Sequence, residues 1–282
     1  MPNNTIQAIL ATYSKQLEST SDSARIDVEV LLCHVLKVST SYLYTWSEKS
    51  LNEDEFQQFS ELFMRRLQGE PIAYLTGKQA FWDLEFLVDR HTLIPRADTE
   101  VLIETILNKF TQHTKPQVLD LGTGSGAIAL SLAHARPAWQ ITAIDYCEHA
   151  LKIAAHNKDH YQLDNVKLLQ GSWYQPVANE QFDIIVSNPP YIDQSDPALC
   201  AHVRQYEPST ALIAKNNGLA DIEHIVCHGK AHLKENGFMI IEHGFQQAQS
   251  VHDIFSAYDY KNIQHYHDLN GHIRATSAES SL

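Results

Sequence analysis

The sequence has no cysteine pair at redox or zinc-knuckle spacing; its four cysteines, Cys33, Cys147, Cys200 and Cys227, are scattered along 282 residues. A disulfide framework or zinc knuckle is therefore not expected, and a reducing cytoplasm is the compartment that fits. There is no H-E-x-x-H motif, and the sixteen histidines are expected to be packing and surface residues that offer no metal-ligating pair at helical spacing. Basic charge is scarce: Lys and Arg number 21 against 34 Asp and Glu, a formal charge of −13. That balance argues against a generally basic nucleic-acid surface, and no direct nucleic-acid partner is expected. No apolar run reaches the roughly 18 residues of a membrane span. The opening "MPNNTIQAILATYSKQ" also has no basic segment leading into an apolar one, so neither insertion nor secretion is expected.

Apolar residues make up 44% of the chain, enough for a substantial core, and they follow two patterns. Over residues 1–75 they recur at three and four in "IQAILATYSKQL", "VEVLLCHVL" and "EFQQFSELFMRRL", which predicts a small helical bundle with Ser23 or Asp27 to cap its second helix. Residues 76–97 change to the short runs "AFWDLEFLV" and "TLIP", which suit a β-hairpin linker. From residue 98 to 282 a helix, with Asp98 or Thr99 as N-cap, leads into strands alternating with helices of ten or more residues. Short, continuously apolar strands in that order predict a Rossmann-like α/β domain: a mostly parallel sheet covered on both faces, with an antiparallel edge from the closing strands.

Three stretches of this α/β part have the residue types of a chemical site. Strand "QVLDL" runs into "GTGSGA" and then a helix, so Gly122, Thr123, Gly124, Ser125 and Gly126 bring backbone N–H groups close to a ligand. Asp120, just ahead, suits a cationic amino or sulfonium group better than a phosphate. Nineteen residues after Gly126, Asp145 ends the next strand, where a carboxylate can accept from two ribose hydroxyls or cap the following helix. The third stretch, "FDIIVSNPPY", ends a strand expected beside the first in Asn188, Pro189, Pro190 and Tyr191. The Asn188 amide oxygen and the Pro189 carbonyl can accept two N–H bonds at a separation held by proline rigidity, and Tyr191 adds a flat face. Together they form a clamp for a planar –NH2 group. "GTGSGA" alone also admits a nicotinamide dehydrogenase, which leaves "NPPY" without a role; a non-catalytic adapter leaves the intact clamp without a role.

"NPPY" resembles the amino-group methyltransferases on the class I S-adenosylmethionine fold. The stretches "GEPIAYLTGKQAFWDLEF", "LIPRADTE", "VLDLGTGSGAIALSLA", "YEPSTAL", "IEHGFQQ" and "DLNGHIRAT" further resemble the HemK/PrmC family, release-factor glutamine N5-methyltransferases, over nearly the whole chain. The resemblance implies a seven-stranded catalytic domain and S-adenosylmethionine as methyl donor. It implies an acceptor glutamine in the Gly-Gly-Gln motif of class-1 peptide chain release factors and a docking role for the N-terminal helices. Arg65 and Arg66 are candidate contacts there, though a solvated helix face is the better reading of both, and a monomer is expected. It also implies cofactor contacts at Gly122 to Gly126, Asp145, Trp173 and Asn188, and a substrate amide held from Asn188 to Tyr191. Ala97, Cys147 and Ser172 depart from its usual pattern. A base-directed N-methyltransferase, or one acting on a ribosomal-protein glutamine, is the alternative that the same clamp leaves open.

Overall fold

The protein is described from a computed structural model covering residues 4–110, 115–196 and 201–281, so Cys200 lies outside the described residues. The chain divides into two compact units, Met1–Gly77 and Lys78–Leu282.

The first unit is five helices, α1 (Ile6–Leu17), α2 (Ala24–Leu36), α3 (Thr40–Thr45), α4 (Glu53–Leu67) and α5 (Ile72–Thr76). The sharpest local signal is at the start of α4, where Asn52 and Glu55 form a reciprocal cap: Glu55 N–H donates to Asn52 Oδ1 at 2.9 Å and Asn52 N–H to Glu55 Oε2 at 2.8 Å. The apolar stripe of α4 buries Phe59 and Phe63, against which Tyr13 packs edge-on at 5.1 and 4.7 Å. Ser23 precedes α2 but its hydroxyl donates to Asp27 inside the helix, not to the backbone. Asp27 also binds Arg66 at 2.8 Å, and Arg65 pairs with Glu70 at 2.6 Å. Both arginines, candidates for docking that the sequence reads more readily as a solvated helix face, are thus paired within the unit.

The second unit opens with a hairpin, β1 (Lys78–Phe81) and β2 (Leu84–Leu87), then α6 (Glu100–Lys109), β3 (Gln117–Leu121), α7 (Ala127–Ala135), β4 (Gln140–Asp145), α8 (Glu148–His160) and β5 (Val166–Gln170). It continues with β6 (Phe182–Ser187), α9 (Ala201–Tyr206), α10 (Ala220–His232), β7 (Leu233–Glu242), α11 (Ala248–Ala257), β8 (Lys261–His267) and β9 (Ile273–Glu279). The hairpin lies on α8: Asn157 takes the Leu87 N–H at 2.8 Å and donates to the Leu87 carbonyl at 3.0 Å.

The large sheet has seven strands in the order β5-β4-β3-β6-β7-β9-β8. All pairings from β5 through β7 are parallel, and β9 runs antiparallel between β7 and β8. The antiparallel part therefore includes an inner strand, inserted beside β7, and β8 forms the edge. Helix α7 is buried almost all round, which is why its sequence is nearly uniformly apolar. The chain reverses its path across the sheet at β3, so a crevice opens beyond the carboxyl ends of β3, β4 and β6.

Candidate active site

The loop after β3 is held from below before any ligand is considered. The N–H groups of Gly122 and Thr123 both donate to the Ile144 carbonyl at 2.9 Å. Gly124 N–H donates to Asp145 Oδ2 at 2.8 Å, and the other oxygen of Asp145 accepts the Cys147 N–H at 2.8 Å. One carboxylate at the end of β4 therefore fastens the loop and stands in for a side-chain cap at α8, whose N-cap Cys147 makes none. Gly126 has φ +88°, and a Cβ there would lie 2.8 Å from Leu130 Cδ1, so the turn into α7 requires glycine. Asn157 donates to the Ser125 carbonyl at 2.9 Å, tying the loop to the hairpin.

Above the loop is a cavity of about 280 Å3. It brings together most of the residues singled out in the sequence: Gly122, Thr123, Gly124, Ser125, Asp145, Trp173, Asn188 and Pro190. Trp173 adopts φ +48°, an uncommon backbone for a bulky residue, and its ring passes 3.8 Å from where a Gly122 Cβ would stand. Two residues that depart from the family pattern, Cys147 and Ser172, also line the cavity, whereas Ala97 opens the short turn Ala97–Thr99 ahead of α6.

Asp120 is placed differently from the expectation. It is fully buried beneath the loop, takes the Thr123 hydroxyl at 2.7 Å, and does not line the cavity. Its Oδ1 has no well-formed hydrogen bond. Burial pushes its pKa up to about 7, against the opposing hydrogen bond from Thr123. A buried carboxyl under a loop of this kind fits a cationic ligand above it. Because the folded pKa is raised above the unfolded value of about 4, the stability linked to Asp120 is full below pH 4 and lost as pH rises through 7. Asp120→Asn, which is neutral throughout, is therefore expected to gain on the wild type as pH rises, by up to about 4 kcal/mol for a shift of about three units. Thermal melts of both proteins at pH 5 and pH 8 check this; an unchanged difference in Tm between the two pH values would contradict it.

The clamp residues sit at the tip of β6. The ladder to β3 ends at Ser187, whose hydroxyl donates to the Leu121 carbonyl at 2.7 Å. The chain then leaves the sheet through two prolines, which have no N–H to leave unpaired. Asn188 and Pro190 face the cavity, while Pro189 is buried beside them. Tyr191 lies behind, its hydroxyl donating to Glu242 Oε1 at 3.1 Å and its carbonyl taking Gln247 Nε2 at 2.9 Å. Burial and the Glu242 carboxylate push the Tyr191 phenol pKa far up.

Several residues around the clamp carry no role that the sequence alone assigns. Thr99, expected as a helix cap, makes no cap bond; it accepts Asn188 Nδ2–H at 3.1 Å. Glu207 of "YEPSTAL" reaches back to "LIPRADTE", taking the Ile94 N–H at 3.2 Å and Arg96 at 2.6 Å. Arg274 of "DLNGHIRAT" holds Asp98 at 3.0 Å. Four stretches that carry the family resemblance are thus neighbours around one corner. His224 and His228, contrary to the expectation for the histidines, do stand four apart on α10, with ring centroids 4.2 Å apart. Among the described residues no group of three potential ligands is placed to hold a metal ion. No described helix is long and apolar enough to cross a membrane.

A family described as the PrmC N-terminal domain matches residues 8–77, and one described as the methyltransferase small domain matches residues 97–207. The release factor glutamine methyltransferase of Aliivibrio fischeri is 44% identical over 274 residues, 96% of each chain. The protein of that name from Escherichia coli K12 is 41% identical over 256 residues, 91% of this chain and 92% of its own. Among solved structures, a methyltransferase from Pyrococcus furiosus covers 79% of this chain and all of its own, with a TM-score of 0.54 at 16% identity. A 16S rRNA methyltransferase from T. thermophilus in complex with AdoMet and guanosine covers 72% of this chain and 49% of its own, with a TM-score of 0.52 at 16% identity. These two likenesses concern the fold.

Proposed function

The chain belongs to the release factor glutamine methyltransferase family, and we propose that it transfers a methyl group from S-adenosylmethionine to the side-chain nitrogen of the Gly-Gly-Gln glutamine in class-1 peptide chain release factors. The observation that carries the reading is the meeting of Asn188 with Asp145 and the Gly122–Gly126 loop around one cavity. S-adenosylmethionine supplies an electrophilic methyl group on a sulfonium centre. The loop and Asp145 hold its amino-acid and ribose parts, with Trp173 flanking the cavity, and a sulfonium above buried Asp120 would favour the ionised form that burial disfavours.

A glutamine side-chain nitrogen is a poor nucleophile because its lone pair is delocalised into the carbonyl. Asn188 Oδ1 and the Pro189 carbonyl accept its two N–H bonds, which orients the nitrogen and raises its electron density. Acceptors fixed in advance cost no reorganisation when positive charge develops on the nitrogen, so positioning and electrostatics account for most of the rate. A donor-poor corner is suited to this, since an N–H of the chain at the same place would compete with the substrate amide. The first unit serves as the docking surface for the release factor.

Asp145→Ala is expected to weaken binding of S-adenosylhomocysteine by on the order of 100-fold, since it removes a charged acceptor and leaves the Gly124 N–H without its partner. Titration calorimetry reads this directly, and an affinity within threefold of wild type would remove Asp145 from the cofactor site. The reading as a whole is tested by mass spectrometry of a purified release factor incubated with the protein and S-adenosylmethionine. One added methyl group on the Gly-Gly-Gln peptide is expected; an unmodified peptide beside methylated rRNA, DNA or ribosomal protein would favour the other acceptors.

A further inference from the structure

Residues 207–214 form a strap that is fastened at both ends and lines the cavity in between. At its far end the strap pairs with the residue that follows the clamp: the Ile192 N–H donates to the Leu212 carbonyl at 2.9 Å, and the Ala214 N–H to the Ile192 carbonyl at 3.0 Å. At its near end stands Glu207, which takes the Ile94 N–H on one carboxylate oxygen at 3.2 Å and Arg96 on the other at 2.6 Å. Between the two fastenings, Thr210 and Ala211 line the same cavity as Asn188. The segment that Glu207 grips is itself a cavity wall. It ends in extended backbone at Arg96, φ −108° and ψ 145°, and alternate residues of an extended chain point to opposite sides. Leu93 and Pro95 accordingly line the cavity, while the Ile94 N–H and the Arg96 guanidinium are the groups bonded to Glu207.

We propose that Glu207 is a positioning residue for the acceptor side of the site: by locking the strap to the 93–96 wall through Ile94 and Arg96, it sets where the lining beside the clamp stands when the glutamine enters. The Glu207 side chain is 2% exposed and Arg96 45% exposed. A carboxylate so buried is costly unless it is paired and hydrogen-bonded, and an apolar side chain would fill the place without that cost. What the carboxylate adds is two bonds of fixed direction, one of them charge-assisted. Pro95, between the two donors, and Pro208, next to Glu207 with φ −65°, have their φ angles fixed by their rings, so little slack remains on either side of the bonds. The glycine loop is fastened through a different set of residues, Ile144, Asp145 and Asn157. Loosening the strap should therefore misplace the acceptor and leave the cofactor held. The inference rests on the proposed methyl transfer to a release factor.

The test measures kcat and KM for a release factor, S-adenosylhomocysteine affinity and Tm for Glu207→Gln, Arg96→Ala, Arg96→Lys and the double variant Glu207→Gln with Arg96→Ala. Glu207→Gln keeps the shape but turns an –NH2 toward one of two donors. Glu207→Gln and Arg96→Ala are each expected to lower kcat by about 30-fold, as a misplaced reacting group does, with KM and S-adenosylhomocysteine affinity within about threefold. Arg96→Lys keeps a charged donor and is expected to recover most of the loss. The double variant should be no worse than the poorer single one, because both changes break the same bond. A merely structural pair would lower Tm and leave kcat unchanged at temperatures well below it. Wild-type kcat in Arg96→Ala, an Arg96→Lys no better than Arg96→Ala, or losses that multiply in the double variant would overturn the inference. So would a parallel loss of S-adenosylhomocysteine affinity, which would put the strap on the cofactor side. If Glu207→Gln does not fold, the two Arg96 variants decide alone. A release factor left unmodified by the wild type overturns the proposed function instead, and the inference with it.

Discussion

Asn188→Ala is expected to lower kcat for release-factor methylation by on the order of 1,000-fold, while affinity for S-adenosylhomocysteine changes by less than about threefold. The asymmetry follows from where the side chain stands. Asn188 follows β6, one strand over from the loop proposed to hold the cofactor, and that loop is held by Ile144, Asp145 and Asn157, none of which is bonded to Asn188. On the proposed reading, the truncation removes one of two acceptors for the substrate amide. The Pro189 carbonyl alone can still bind the glutamine but cannot fix its rotation, so the nitrogen lone pair is no longer aimed. Steady-state methyl transfer and a calorimetric titration measure the two quantities separately. Turnover within tenfold of wild type would show that the acceptor amide is held by other groups.

The second large effect is expected from a residue remote from "NPPY" in the chain. Gly218 has φ +80°, and a Cβ built on it would lie 2.1 Å from the Tyr191 carbonyl oxygen and 2.7 Å from Gln247 Nε2. The first of these is backbone and cannot swing aside. Gln247 is also the donor that secures that carbonyl, at 2.9 Å, while holding the Asn217 carbonyl at 3.1 Å. Gly218→Ala therefore carries a left-handed backbone cost of about 1 kcal/mol and must displace the end of the clamp by roughly an ångström. A shift of that size at a reacting centre costs about 100-fold. We expect kcat to fall by about that factor with S-adenosylhomocysteine affinity nearly unchanged. A crystal structure of the variant should show Tyr191 moved; a variant with wild-type kcat would mean that the corner yields without consequence.

The two positions differ in how readable they are. Asn188 is legible because its chemistry is written in four consecutive residues after an apolar strand, and a buried strand that ends in an amide, two prolines and an aromatic ring suits little besides an acceptor site. The glycine loop and Asp145 are legible for a related reason: each lies at the end of a strand whose apolar run marks it, and the parallel order puts strand ends together. Gly218 and Gln247 are not, because a glycine after two asparagines reads as an ordinary turn and nothing in its neighbours names the carbonyl it touches. Thr99 reads as a helix cap, the usual use of a threonine at that place; its hydroxyl oxygen instead accepts from the Asn188 amide because the two segments meet in space, 89 residues apart in sequence. Asp120 reads as facing the ligand, yet alternation along β3 and the Thr123 hydroxyl turn it beneath the loop.

What the sequence by itself determined is local and periodic: the helical first part, the alternating α/β order, the glycine-rich loop, and the donor-poor corner after Asn188. These depend on φ preferences, on side-chain periodicity and on the absence of an N–H in proline, all properties of a residue and its immediate neighbours. The tertiary structure alone decided what surrounds Asn188. Thr99 beside its amide, and Tyr191 bonded to Glu242 behind it, are brought together from the start of α6, the tip of β6 and the end of β7. Contacts of this kind are a property of the assembled fold, and no single segment contains them.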